Sequence, residues 1–196
     1  MQYSHLTRPL DVWDVQTRYG ARPWAVEAPS AGIPLRFHTL DALRARGVKI
    51  AHVTHAAGLS STGDDALDAR LPLPERYEVT RETARAALAA KERGGRVIAV
   101  GTSAARALEG AARDGGGLES LARDGRQGVT DLLLGPRSEL RVVDGLFTGL
   151  HDPTASHYAL LQAFAPRDAL ARAYAHAESR GYLGHEFGDT NLILAA

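Results

Sequence analysis

The chain has 196 residues, 44% of them apolar, with 23 basic and 23 acidic side chains and no cysteine. That length suits a single α/β domain over residues 1–196 that buries a core without staples, and the composition excludes disordered and collagen-like chains. The lack of cysteine removes disulfides, thiolate zinc sites and thiol nucleophiles. Zero formal net charge removes the basic excess usual in nucleic-acid binders, so an RNA contact here needs a local patch or a partner. Lys49 and Lys91 are the only lysines. The remaining positive charge is arginine, which pairs bidentately with carboxylates and phosphates. No stretch reaches the roughly 18 consecutive apolar residues of a membrane span. The start, Met1-Gln2-Tyr3-Ser4-His5, has no signal-peptide pattern. The expectation is a soluble, cytoplasmic protein with no membrane partner.

Residues up to Arg22 show no clear period. From Pro23 short apolar runs alternate with helical ones, the signature of βαβ organisation. The pattern predicts a strand over 24–28, a turn at Pro29-Ser30-Ala31-Gly32, and a helix over 34–46 with Leu35, Leu40 and Leu43 on one side and Gly47 ending it. A strand over 48–54 leads into a Gly/Ser loop at 57–63, and 64–74 reads as an exposed connection. Thr80 is placed to cap a helix running to Arg93, with Glu82 in its first turn. A strand over 96–100, a Gly101-Thr102-Ser103 turn and a helix over 104–113 follow. Gly115-Gly116-Gly117 reads as a flexible loop, 129–134 and 140–143 as strands, 155–165 and 167–180 as helices, and 191–195 as a final strand. The fold class expected is α/β, a three-layer Rossmann-like arrangement of helices around a mostly parallel or mixed sheet.

Several loops between these elements carry candidate chemistry. At Gly101-Thr102-Ser103 a strand runs into a helix, whose free N–H groups and dipole suit a phosphate or carboxylate. Arg106 lies one turn along, where it can clamp an anion or an acid. An ordinary βα junction is the alternative. The turn containing Ser30 and Gly32 also joins a strand to a helix. His55-Ala-Ala-Gly58-Leu-Ser60-Ser61 follows a strand, where ligand sites in open α/β sheets collect, or is a plain surface loop. Asp144-Gly-Leu-Phe-Thr148-Gly-Leu-His151 with His157 gathers acids, hydroxyls and imidazoles in a turn entering a helix, and His185-Glu186-Phe187-Gly188-Asp189 precedes the final strand. No His-Glu-x-x-His pair, calcium-type loop, Walker loop or G-x-S-x-G elbow is present, so no metal is predicted and a serine hydrolase is disfavoured.

The order of these blocks carries more than any one of them. Pro29-Ser-Ala-Gly32, His55-x-x-Gly58, Glu75-Arg-Tyr77-Glu78-Val79, Gly101-Thr-Ser-x-x-Arg106-x-Leu-Glu109, Thr130-Asp131-Leu132, Asp144-Gly-Leu-x-Thr148 with His151-x-Pro153, and Phe187-Gly-Asp189 before a terminal strand form a series. This series resembles the S-adenosylmethionine:tRNA ribosyltransferase-isomerase family of queuosine biosynthesis. The resemblance runs from about Tyr3 to the C-terminus. It implies S-adenosylmethionine as ribosyl donor and 7-aminomethyl-7-deazaguanine in tRNA as acceptor, with adenine and methionine leaving as an epoxycyclopentanediol forms. It implies a base near the ribose 5′ carbon and an anion site for the methionine carboxylate.

On that resemblance Gly101, Thr102, Ser103 and Arg106 are expected to bind an anion or acid. Ser30, Gly32, His55, Gly58, Ser60 and Ser61 are expected to line the donor, with Thr148, His157 and His185 as further binding residues. His151 is the first choice for proton transfer, oriented by Asp144 or Asp189. The chain departs from the family pattern in places. His55-Ala-Ala-Gly58-Leu-Ser60 stands where His-Gly-x-Gly-Thr-Phe is expected. Gly149 replaces an Asn, and a His before the Glu75 block is missing. Family members also carry an N-terminal portion with an inserted β-barrel, so a shortened, divergent member is expected, its partners S-adenosylmethionine, tRNA, and a separate chain or second copy replacing that portion. An enzyme with a small-molecule acceptor, a donor-cleaving enzyme, or a non-catalytic binding module are the alternatives.

Overall fold

The structure, a computed structural model, describes residues 11, 14, 17, 19–20, 22–25, 28–58, 63–68, 70–184 and 187–195. Ser60, Ser61 and His185 lie outside the described residues, as does part of the strand expected over 24–28. Its described members Trp24, Ala25 and Ala28 are not in a strand.

A 3-10 turn at Ser30–Gly32 precedes helix α1, Phe37–Ala45. Strand β1 is Val53–His55, followed by a short helix α2, Asp65–Asp68, and strand β2, Glu75–Val79. Helix α3, Arg81–Glu92, starts at Thr80, whose hydroxyl accepts a hydrogen bond from the Thr83 N–H, as the sequence predicts. Strand β3, Ile98–Val100, leads into helix α4, Thr102–Gly115, and then helix α5, Leu118–Asp124. Strands β4, Arg126–Thr130, and β5, Gly145–Gly149, are followed by helices α6, Ser156–Leu161, and α7, Arg167–Ser179. Strand β6, Thr190–Leu194, comes last.

The α/β class holds, with the strands divided between two small sheets among the described residues. One is antiparallel in the order β1-β2-β4, and the other is mixed in the order β3-β5-β6. Helix α4 packs on strands of both sheets. Its small residues make this possible: Ala105, Ala107, Ala111 and Ala112 are fully buried. At Gly110 a Cβ would fall 2.3 Å from the Thr130 hydroxyl oxygen of β4, so only a residue without a side chain lets helix and sheet approach this closely.

Several expectations are corrected. The strand expected over 48–54 is confined to Val53–His55, and that expected over 129–134 starts and ends earlier, at Arg126–Thr130. The run 140–143 is not a strand, because a buried carboxylate takes its amides. The Glu109 side chain accepts from the N–H groups of Arg141, Val142 and Val143 at 2.8, 2.9 and 2.8 Å. The strand begins afterwards, at Gly145, inside the segment read as a turn. The triple glycine is a tight joint, with Gly116 in the left-handed conformation closing α4 and Gly117 opening α5.

Candidate functional site

Strands β3 and β5 run parallel, with Ile98 opposite Gly145 and Val100 opposite Phe147, so their C-terminal ends lie side by side. Strand β6 runs antiparallel to β5 and begins at that same end, Thr190 opposite Gly149 and Asn191 opposite Thr148. This geometry gathers Gly101, Thr102, Ser103, Thr148 and His151 at one end of the mixed sheet, as expected for open α/β sheets.

The turn after β3 is held by the Gly101 N–H, which donates to the Phe147 carbonyl at 2.8 Å. Gly101 adopts φ +90°, a conformation that disfavours any residue with a side chain. Its Cβ position faces the Ala31 methyl at 3.4 Å, which places the Ser30–Gly32 turn directly beside it. That 3-10 turn also packs on β5, with Gly32 against the Tyr19 ring. Thr102 is buried and Ser103 half-buried at the α4 N-terminus. Amide N–H groups of the first turn have no partner within the helix and point toward the sheet end.

Beyond β5, the Thr148 hydroxyl and His151 Nε2 are 2.8 Å apart, with Thr148 only 1% exposed. The His151 N–H donates to the Tyr174 hydroxyl at 3.0 Å, and the His151 and His157 rings stack at 5.1 Å. Burial pushes the Tyr174 phenol up to about 12, so it stays protonated and fixes the backbone at His151. The Asn191 amide donates to the Gly149 carbonyl at 3.0 Å. A hydroxyl–imidazole pair anchored from two sides is a sound arrangement for moving a proton.

The two expected orienting acids stand differently. Asp144 precedes β5, four residues from Thr148, about 13 Å along an extended strand. There it accepts from the Lys91 ammonium at 2.6 Å and the Val97 N–H at 2.8 Å, tying down the opposite end of the sheet. It is not brought together with His151, because a strand of five residues separates them. Asp189 lies at the same end as His151, next to Thr190, and its carboxylate accepts from the Leu183 N–H at 2.8 Å.

A second cluster forms where β1, β2 and α4 meet. Arg106, on α4 one turn after Thr102, is almost wholly buried. Its guanidinium pairs with the Glu75 carboxylate and donates to the carbonyls of Leu132 at 2.7 Å and Leu73 at 3.0 Å. The acid it clamps is therefore one of the chain's own. Burial lowers the guanidinium's affinity for its proton, and Glu75 and Asp131 oppose that. Glu75 also accepts from the Gly58 N–H at 2.6 Å and stands 3.2 Å from His55 Nε2. Burial, and then the Arg106 charge, pull His55 down to about 4, so the imidazole is neutral at pH 7. Three expected residues, His55, Gly58 and Arg106, thus converge on Glu75, which sequence reasoning placed only inside a motif. Tyr174 and Asn191 were also missed. Among the described residues no group of three or more His, Asp or Glu side chains is set to hold a metal, and no helix is long and apolar enough to cross a membrane.

Residues 2–193 match the family model described as queuosine biosynthesis protein. A protein of Synechococcus sp. (strain WH7803) named S-adenosylmethionine:tRNA ribosyltransferase-isomerase is 43% identical over 183 residues, covering 91% of this chain and 48% of that protein. A protein of the same name from Acidithiobacillus ferrooxidans is 43% identical over 182 residues, covering 91% and 51%. The crystal structure of an S-adenosylmethionine tRNA ribosyltransferase from Thermotoga maritima superposes with a TM-score of 0.66 at 33% identity, covering 84% of this chain and 51% of that one. The chain spans about half the length of the curated relatives it matches.

Proposed function

Because the chain belongs to the queuosine biosynthesis protein family, we propose that it serves the activity for which its relatives are named. On this reading S-adenosylmethionine is the ribosyl donor. The acceptor is 7-aminomethyl-7-deazaguanine in tRNA, the product is epoxyqueuosine, and adenine and methionine leave. The setting is the cytoplasm.

One observation supports this most: the helix N-terminus at Gly101–Ser103 and the Thr148–His151 pair share one end of the mixed sheet. In the proposal the amides at Thr102 and Ser103 take the methionine carboxylate. His151, held by Thr148 and the Tyr174 hydroxyl, removes the proton beside the sulfonium. His157 flanks it through the ring stack. The Ser30–Gly32 turn lines the donor next to Gly101, and Asp189 shapes the adjoining loop. Asp144 takes no part.

The test is adenine release from S-adenosylmethionine with and without tRNA bearing the deazaguanine base. Release that requires the tRNA supports the proposal. Release without it supports a small-molecule acceptor or donor cleavage, the reading that zero net charge favours. No release supports a binding module.

A further inference from the structure

The His55 cluster holds an unmet demand. The imidazole is 5% exposed, and neither ring nitrogen makes a hydrogen bond. Buried polar atoms of this kind are rare and call for a partner. A neutral imidazole carries one donor and one acceptor nitrogen. The near acceptor is Glu75 Oε2, 3.2 Å from Nε2, and Glu75 is fixed by Arg106 and by the Gly58 N–H. The contact is off hydrogen-bond geometry, but a lone pair turned at the carboxylate would be repelled, so the proton belongs on Nε2 and Nδ1 is left as a buried acceptor without a donor.

The charge of the cluster narrows what can meet it. Arg106 donates through Nε, Nη1 and Nη2 to Leu132, Glu75 and Leu73. With Glu75 balancing Arg106 and the imidazole neutral, the free feature is a lone pair beside a carboxylate, which repels anions and accepts from O–H or N–H groups. Arg106 shares a face of α4 with Thr102, four residues before it, so the cluster adjoins the helix end at which the donor is proposed to sit.

We infer that His55 Nδ1 accepts a hydrogen bond from the nucleoside part of the ligand, a hydroxyl or amine, and that Glu75 is the positioning residue that sets the tautomer. With the Arg106 donors spent on Leu132, Glu75 and Leu73, it is His55 that meets the nucleoside, and the methionine carboxylate is left to the helix end at Thr102 and Ser103. This rests on the proposed donor, S-adenosylmethionine.

Calorimetric titration of S-adenosylmethionine, adenosine and methionine separately into the wild-type chain and its variants tests it. His55→Leu is expected to weaken S-adenosylmethionine and adenosine about tenfold, the loss of one buried hydrogen bond, without changing methionine binding. His55→Asn, which keeps an acceptor close to the Nδ1 position, is expected to recover most of that loss. Wild-type affinity for adenosine in a folded His55→Leu protein overturns the inference. Should that variant fail to fold, nitrogen-15 spectra of the wild-type histidines decide. The His55 Nδ1 resonance moves with adenosine and not with methionine if the inference holds, and stays still with both if it is wrong. Adenosine binding without S-adenosylmethionine binding defeats the proposed donor, and the His55 contact with a nucleoside is then decided by whether His55→Leu weakens adenosine. Binding of neither defeats both.

Discussion

Replacing Glu109 by Gln tests whether the Gly-Thr-Ser-x-x-Arg-x-Leu-Glu block ends in a structural acid. The Glu109 carboxylate is 2% exposed, and its two oxygens accept three backbone N–H groups, Oε1 from Val142 and Val143 and Oε2 from Arg141. Gln retains one oxygen and sets an NH2 group against the third donor. One charge-assisted bond is lost, the other two weaken, and an amide is left facing a donor, together about 2–3 kcal/mol. Ala removes all three acceptor contacts, and about 4–5 kcal/mol is expected. Urea unfolding followed by circular dichroism gives the stability, and native-state hydrogen exchange reads the Val142 and Val143 amides directly. A Gln variant within 0.5 kcal/mol of wild type, or amides protected as before, would refute the idea that this carboxylate holds the entry to β5.

Gly110→Ala is expected to destabilise by about 1–3 kcal/mol, since its Cβ would meet Thr130 at 2.3 Å, and adding Thr130→Ala should recover part of that; thermal melts of the single and double variants check it. His55 makes stability pH-dependent: its folded pKa, about 4, is below its unfolded value, so the unfolded chain binds the extra proton between pH 6.5 and 4. Stability should be unaffected by this group above pH 6.5 and fall on the order of 3 kcal/mol as pH drops through that window. In His55→Asn urea titrations that component of the slope should vanish. Tyr174→Phe should cost about 1 kcal/mol and expose the His151 amide to exchange. His151→Ala should abolish adenine release while the melting temperature stays near wild type, and near-normal turnover would remove His151 from the proton-transfer role.

What the sequence made legible is what local chemistry decides. Thr80 caps its helix and Gly101 turns the chain because one residue's side chain, or its lack, sets the backbone there. The Thr148–His151 pair was within reach because both residues sit in one short motif. Strand β5 was hidden because two of its five residues, Gly145 and Gly149, carry no strand preference, and its neighbours β3 and β6 supply the order. The run 140–143 looked like a strand because three of its four side chains are apolar and two of those are β-branched, whereas its amide partners lie on Glu109, more than 30 residues earlier. Helix α5 was lost to a run of glycines that proved to be two helix ends. Separation in sequence likewise concealed Glu75 and Tyr174, whose partners Arg106 and His151, 31 and 23 residues away, are set by packing and not by spacing.

The proposed ribosyl transfer is tested most directly with S-adenosylmethionine labelled separately in the ribose and in the methyl group, incubated with the chain and with tRNA bearing 7-aminomethyl-7-deazaguanine. Ribose label entering the tRNA in step with adenine release, with no methyl label following, is the predicted result. Methyl label in the tRNA, or tRNA that stays unlabelled while adenine is released, would contradict it.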